Sequence, residues 1–422
     1  MSRWSRSRRV AAVAARAAVA SALVGAGCGP ADDSENDEAP LRGLRSTPTR
    51  IALTPTAHPR RWQAFAWRTN EATKRGFVQV RRGGKTRVIR AGRSRTVSFP
   101  GWGHTSRHHA ALVRRLRPDT RYRYRVGVPG AWSGWRAFRT AHGPHRRWQF
   151  AYFGDAQRGL TTTWPRTVDR ALRSRDVDLM LHAGDLVDEP THDAQWSAWF
   201  RALHPYRRTT TMMPAVGNHE LREDKRLWMY RAQFRLPQNG PAPTTYAIDY
   251  QGVRFVVLDA NRTEDRAQRR FLRKKLHRAR HRWTVVLFHK PMFASTRDRD
   301  TTPQRAAWLR ILERQGADLV LEGHDHVYAR GYLRRSAGAA AKPRTSPMYA
   351  VADSGGKYYS LDGGGDWASH DARRVEAAEN VTTYQLIRVS PRALTYRSIV
   401  SATGVGADHE VGEVIDRFRV KR

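Results

Sequence analysis

The chain has 422 residues, a formal net charge of +38 and one cysteine. At roughly 150 residues per domain this length predicts two or three folded units, and a lone thiol excludes an intrachain disulfide framework. Of 76 basic residues nine are Lys and 67 are Arg. They are dispersed with no aromatic-interleaved block, so the charge reads first as solvated surface and second as a field that draws in phosphorylated or other anionic partners. No specific nucleic-acid interface is expected, although nucleic acid stays open as a substrate or nonspecific contact.

Arg3, Arg6, Arg8 and Arg9 precede a small apolar stretch from Val10 to Gly27 broken by Arg16, the layout of an export signal. Its uninterrupted part, Ala17 to Gly27, is too short for a bilayer span of roughly 20 residues. Ser7-Arg8-Arg9-Val10 resembles a twin-arginine signal. Val24-Gly25-Ala26-Gly27-Cys28 resembles a bacterial lipoprotein cleavage box, with Gly25 where that box usually has Leu or Val. Residues 1–28 therefore read as a signal peptide and Cys28 as a candidate lipidation site, a buried structural thiol being the alternative. The expected location is outside the cytoplasm, extracellular, periplasmic or at the cell surface, with the membrane contacted only through such an anchor. Residues 29–48 are acidic and lack aromatic side chains (Asp32, Asp33, Glu35, Asp37, Glu38), which reads as a disordered tether.

Residues 49–141 turn to short strands: Trp62 to Trp67, Phe77 to Val80, Thr86 to Ile89, Thr96 to Phe99 and Tyr122 to Val128, punctuated by turns such as Arg82-Gly83-Gly84-Lys85. That spacing predicts an all-β sandwich. Leu116-Arg117-Pro118-Asp119-Thr120-Arg121-Tyr122 resembles the tyrosine corner of fibronectin type III-like domains, and Tyr122, Tyr124, Val126 and Val128 then share one face.

Residues 145–422 alternate strands with helical segments, Trp164 to Ser174, Asp193 to Leu203, Asp265 to Ala279 and Thr302 to Gln315, which predicts an α/β core. Five apolar runs, Phe150 to Phe153, Val177 to Leu181, Met212 to Val216, Val285 to Phe288 and Leu319 to Leu321, read as buried strands. Each is followed at once or within a few residues by a short polar motif: Gly154-Asp155, Gly184-Asp185, Gly217-Asn218-His219-Glu220, His289 and Gly323-His324-Asp325-His326. Ligands of open α/β sheets bind at the carboxyl ends of strands, so these five segments are expected to converge. Met348 to Ala352, Thr382 to Val389 and Ala393 to Ile399 are expected to complete a second sheet, and Gly338 to Ala341 and Leu361 to Trp367 to form loops.

Two cations about 3.5 to 4 Å apart need a shared anionic bridge and terminal ligands on each ion. The oxygen donors of Asp155, Asp185 and Asn218 with the imidazoles of His289, His324 and His326 supply that mixture and suit Fe, Zn or Mn.

With these motifs in this order, residues 145–422 resemble the calcineurin-like metallophosphoesterase superfamily, whose β-sandwich is flanked by helices (α/β/β/α). From about Thr49 onward the chain is similar to its purple acid phosphatase branch, on the preceding sandwich, on Gly323-His324-Asp325-His326-Val327-Tyr328-Ala329-Arg330 and on the closing strands. The resemblance implies Asp155 and His326 on a first ion, Asn218, His289 and His324 on a second, and Asp185 bridging both. It implies hydrolysis by a metal-bound hydroxide, with His219 as the general acid. Three departures stand out. Asp188 occupies the position of the branch's colour-giving Tyr, so no purple colour is expected, and it reads as a weak ligand or as a loop or helix-start residue. Gln157 stands where many superfamily members have a ligand His, which makes its amide oxygen a candidate to contribute to the site or to hold a water. Thr296, Arg297, Asp298 and Arg299 replace the His residues that plant members carry after the fourth motif, which makes Arg297 and Arg299 candidate phosphate clamps. Glu220 and Asp249 are candidates for orienting the ligands from behind.

The expected function is an exported acid phosphatase-like phosphomonoesterase. A phosphodiesterase or nucleotidase of the same superfamily is the nearest alternative. A lipid-anchored protein holding an anionic cell-wall polymer, its metal site inactive, is the alternative outside enzymology.

Overall fold

The structure, a computed structural model, describes residues 47–99, 101–174, 176–204, 206, 209–277, 283–334 and 347–421. The signal segment with Cys28, most of the acidic tether, the end of the helix expected to reach Ala279 and the loop from Gly338 to Ala341 lie outside the described residues.

Among the described residues nine strands open the fold: β1 (Thr49–Thr54), β2 (Gln63–Asn70), β3 (Phe77–Arg82), β4 (Lys85–Arg90), β5 (Arg93–Val97), β6 (Ser106–Val113), β7 (Arg121–Val128), β8 (Ala131–Trp132) and β9 (Arg136–Arg139). They make a sandwich, with β1-β2-β6-β5 on one side and β4-β3-β7-β8 on the other, β9 also pairing with β7. Period-two alternation sends Val78, Val80, Tyr122, Tyr124 and Val126 inward onto Phe65, Trp67 and Phe138, and leaves Arg81, Arg121 and Arg123 outside. Tyr122 closes the expected corner, its hydroxyl accepting the Arg117 backbone N–H at 2.8 Å.

The second region holds β10 (Trp148–Phe153), β11 (Val177–His182), β12 (Thr211–Pro214), β13 (Tyr246–Tyr250), β14 (Val253–Val257), β15 (Trp283–Leu287), β16 (Leu319–Glu322), β17 (Tyr328–Leu333), β18 (Met348–Val351), β19 (Ala372–Ala378), β20 (Val381–Val389), β21 (Ala393–Thr403) and β22 (Val414–Lys421). One sheet runs β22-β21-β20-β10-β11-β12 and the other β13-β14-β15-β16-β18-β17-β19. Phe150, Tyr152, Leu179 and Leu181 of the first pack against Phe255, Val285 and Leu319 of the second in one buried cluster. Helices α1 (Thr163–Leu172) and α2 (Asp193–Ala202) add Trp164, Val168 and Trp199 to this cluster. On the far face of the second sheet, Leu272 and Leu276 of a helix over Arg266–Leu276 meet Trp308 and Leu312. The last expected helix is continuous only through a π turn at Arg305–Leu309, between Thr302–Gln304 and Arg310–Gln315.

Two expectations need correction. β20 and β21 complete the first sheet, β20 running antiparallel to β10 with Phe150 opposite Ile387, whereas β18 alone of the three late strands enters the second. The stretch Leu361 to Trp367 ends in a helical turn, Gly365–Ser369, which buries Trp367 against Phe293.

The sandwich is spliced edge-on to the first sheet. β1 pairs in parallel with β12, Leu53 opposite Thr211. Beside this splice Asp193, the first residue of α2, takes Arg50 and Arg68 at 2.7 Å each, and Arg50 also donates to Ser197 at 2.7 Å. Both guanidiniums are buried.

Candidate metal centre

β10, β11 and β12 are parallel neighbours, as are β15 and β16, so their carboxyl ends share one rim. The chain turns sharply at each end, and the glycines of the motifs are there for space. A Cβ on Gly217 would collide with Asp185 Oδ1, and one on Gly323 with Asp155 Oδ2. Four of the candidate ligands sit in left-handed backbone: Asp155 at φ 54°, Asp185 at 55°, His324 at 79° and His326 at 53°. Such conformations cost about 1–3 kcal/mol each in a non-glycine residue and cluster where function demands a side-chain direction.

The side chains meet. His289 Nε2 lies 3.1 Å from Asp185 Oδ2, 3.0 Å from Asn218 Oδ1 and 3.1 Å from His324 Nδ1. Asp185, His289 and His324 thus have donor atoms close enough to share one cation. On the other side of Asp185, His326 Nε2 stands 3.9 Å from Asp155 Oδ1 and 3.3 Å from the Gln157 amide, which reaches Asp185 Oδ2 at 3.4 Å. All six expected ligands therefore lie in one cluster, Asn218 and His324 half-buried and the other four buried, with Asp185 between two groups of donors.

Surrounding groups fix their directions. His289 Nδ1 donates to the Ala183 carbonyl at 2.9 Å, turning Nε2 inward, and His326 Nδ1 lies 3.2 Å from the buried Asp353 carboxylate. Glu220 accepts the backbone N–H groups of Asp185 at 3.0 Å, Leu186 at 2.8 Å and Gly217 at 2.7 Å, tying the second motif to the third. Asp188 lies in the loop before α2, its carboxylate 2.8 Å from His219 Nδ1, with Arg158 at 2.7 Å and Arg222 at 3.2 Å on it. His219 Nε2 then faces Asp185 Oδ2 at 3.7 Å.

Other candidates fall elsewhere. Asp249 is exposed and pairs with Arg254 at 2.7 Å on β13, away from the centre. Arg297 is exposed. Arg299 turns inward, donating to the His324 carbonyl at 3.0 Å and stacking its guanidinium on Tyr359. The sequence reading missed Asp353, Arg158 and Lys357. Asp353 was findable, since it follows the apolar run Met348 to Ala352 as the other ligands follow theirs.

The donor set suits cations. Burial pushes the Asp155 carboxyl well above its usual range, and Oδ1 of that residue is buried without a hydrogen-bond partner. Burial opposes charge on Asp185 too, yet His289 beside it holds its carboxyl below the ordinary value. Burial lowers His324 to about 2, and with Lys357 lowers His326 to about 3, so both imidazoles are neutral and have a free lone pair at neutral pH, the form that metal binding requires. Burial opposes charge on His289, yet nearby Asp185 and Asp155 raise it to about 9, a charge held where a cation would sit, and the orphaned Asp155 oxygen beside the neutral His326 imidazole is a polar cradle for positive charge.

The Calcineurin-like phosphoesterase family matches residues 148–328, and the Purple acid Phosphatase, N-terminal domain family matches residues 48–140. Purple acid phosphatase 21 of Arabidopsis thaliana is 28% identical over 288 residues, covering 64% of this chain and 63% of that protein, so the chain spans just under two thirds of that relative's length. Acid phosphatase type 7 of Homo sapiens is 25% identical over 355 residues, covering 74% of this chain and 77% of that protein. Among solved structures, the purple acid phosphatase PPD1 from yellow lupin (Lupinus luteus) seeds superposes with a TM-score of 0.73 at 18% identity, over 89% of this chain and 75% of that one. This last likeness is one of fold, and it includes the sandwich ahead of the helix-flanked sheets.

Proposed function

We propose, from the premise that this chain joins a calcineurin-like phosphoesterase domain to a purple acid phosphatase N-terminal domain, that it is an exported, binuclear-metal phosphomonoesterase. The observation that carries the proposal is the convergence of Asp155, Asp185, Asn218, His289, His324 and His326 at one strand edge. Asp155 and His326 would hold one cation, Asn218, His289 and His324 the other, and Asp185 both, with Fe, Zn or Mn fitting this donor set.

Bound cations would supply Lewis acidity, acidifying a water and neutralising phosphoryl oxygens. The chain's own residues do the rest. Asp188 accepts from His219 Nδ1 and so leaves Nε2 as the nitrogen that carries the transferable proton. That nitrogen points to the Asp185 side of the centre, where it can protonate a departing alkoxide. Glu220 keeps Asp185 and Asn218 in register through the backbone amides it accepts, and Asp353 orients His326 from behind. Arg158, Arg222 and Lys357 add positive charge around the phosphate's approach, with Arg158 and Arg222 anchored on Asp188.

Export rests on the basic and apolar segment before Cys28; N-terminal sequencing and mass of the protein purified from its host test it. The activity is tested by assaying p-nitrophenyl phosphate and bis-p-nitrophenyl phosphate with added Mn, Zn or Fe and with chelator. Monoester turnover that a metal restores and chelation abolishes is the expected result. Faster diester turnover would move the assignment to phosphodiesterase, and no hydrolysis under any metal would favour the wall-polymer reading.

A further inference from the structure

The arginines look dispersed in the sequence, but strand register gathers several of them with two tryptophans on the outer face of the sandwich. On β7 the outward residues are Arg121, Arg123 and Arg125, and neighbours in a strand that share a face are about 6.8 Å apart. Arg81 of β3 lies opposite Arg123, Gln79 opposite Arg125, and Arg139 of β9 opposite Arg121. Trp132 is registered against Gly127 at the end of the row. The Arg125 guanidinium stacks 4.9 Å from the Trp132 ring centre and 4.8 Å from that of Trp135, and Arg123 lies 5.8 Å from Trp135. Arg125 is further fixed by donating to Gln79 at 2.8 Å. Arg139 is neutralised by Asp119 at 2.8 Å, whereas Arg81, Arg121 and Arg123 are exposed. At its β9 end the row opens into a cleft of about 580 Å³ lined by Arg121, Arg136, Arg139, Tyr206, Thr209 and Thr210.

We propose that this face, Arg81, Arg121, Arg123 and Arg125 with Trp132 and Trp135, binds extended single-stranded nucleic acid without reading its sequence. A row of guanidiniums at even spacing tracks a phosphodiester backbone, and indole and guanidinium planes stack on bases of any kind. The tryptophans decide between polyanions. A polyol-phosphate wall polymer offers the same charges but no base to stack, and would gain little from two ordered indoles. The inference is independent of the metal centre, which lies at the strand edge of the other region.

The test uses fluorescence anisotropy of a labelled 15-mer of dT with the full-length protein, polyphosphate serving as the base-free polyanion. The triple variant Arg81→Ala, Arg121→Ala, Arg123→Ala should bind dT at least about tenfold more weakly and reduce the salt slope by about two units, close to three phosphate contacts on a single strand. Because the whole chain is basic, a control of equal charge loss on the exposed face of the Arg266–Leu276 helix, Arg266→Ala, Arg270→Ala, Arg273→Ala, should leave binding within about twofold. Trp135→Ala should weaken dT by about tenfold, the loss of one stacked base, and leave polyphosphate binding unchanged. Quenching of tryptophan emission in the unaltered protein by dT, and not by polyphosphate, reads the same contact if Trp135→Ala proves unstable. Equal losses in the two triple variants, or matching behaviour of dT and polyphosphate in the tryptophan readouts, would overturn the proposal.

Discussion

Asp188 and His219 form a carboxylate–imidazole pair at 2.8 Å, and Arg158 holds the far carboxylate oxygen at 2.7 Å. The pair sits beside Asp185 without belonging to the six proposed metal donors, so it can be altered while those residues stay in place. His219→Ala should keep both metals yet lose about 10²–10⁴-fold in turnover on alkyl phosphates, with a smaller loss on p-nitrophenyl phosphate, whose leaving group needs no proton. Asp188→Asn should reproduce part of that leaving-group dependence with metal content intact. Equal losses on both substrates would remove His219 from proton transfer.

The position of Asp188 also bears on colour. Its carboxylate is committed to His219, Arg158 and Arg222, and no tyrosine stands there to make a charge-transfer band with ferric iron. Protein loaded with iron should therefore show no strong visible absorption near the purple region, a point that one absorption spectrum settles.

Asp185 is shared between the two groups of donors. Replacing it with Asn should lower metal content as well as activity, measured by elemental analysis. Gly217→Ala provides a second route to the same loss without touching a ligand, because the added methyl would occupy the space of Asp185 Oδ1. Full metal stoichiometry in Asp185→Asn would contradict its place as the bridge.

The splice between the sandwich and the first sheet should be acid-sensitive. Burial opposes charge on Asp193, but Arg50 and Arg68 hold its carboxyl down to about 2 from an ordinary 3.8. Its contribution is present above pH 3.8 and is lost as pH falls toward 2. Asp193→Asn should cost about 3 kcal/mol by removing one partner of a buried pair and should flatten stability over that window in denaturant titrations. His109, which burial and Arg107 lower from 6.5 to about 4, works in an earlier window: the neutral ring is tolerated and the charged one is not, so stability falls as pH drops from 6.5 to 4, and His109→Gln should shrink that phase while leaving the share of its neighbour His108, which burial lowers further.

The donor clusters were legible because each follows an uninterrupted apolar run, a pattern that depends on burial of both strand faces and survives without knowledge of neighbours. Pairing order carries no such mark. β20 and β21 were assigned to the wrong sheet because the antiparallel return to β10 joins residues more than two hundred positions apart. β6 was missed since Ser106-Arg107-His108-His109 offers no alternation, its histidines being buried at the join with β2. The pairing of Asp188 with His219 was not legible because the two lie 31 positions apart, and the gathering of Arg81, Arg123 and Trp135 depends on register across β3, β7 and their turns.

Leu53 opposite Thr211 makes the amino-terminal lobe a lateral extension of the first sheet of the second region. Trimming the protein back to residue 141 would strip β12 of its neighbour, leave a raw hydrogen-bonding edge, and orphan Asp193 from both its guanidiniums. Such a fragment should self-associate through that edge, so the two lobes must be expressed, engineered and inherited as one piece.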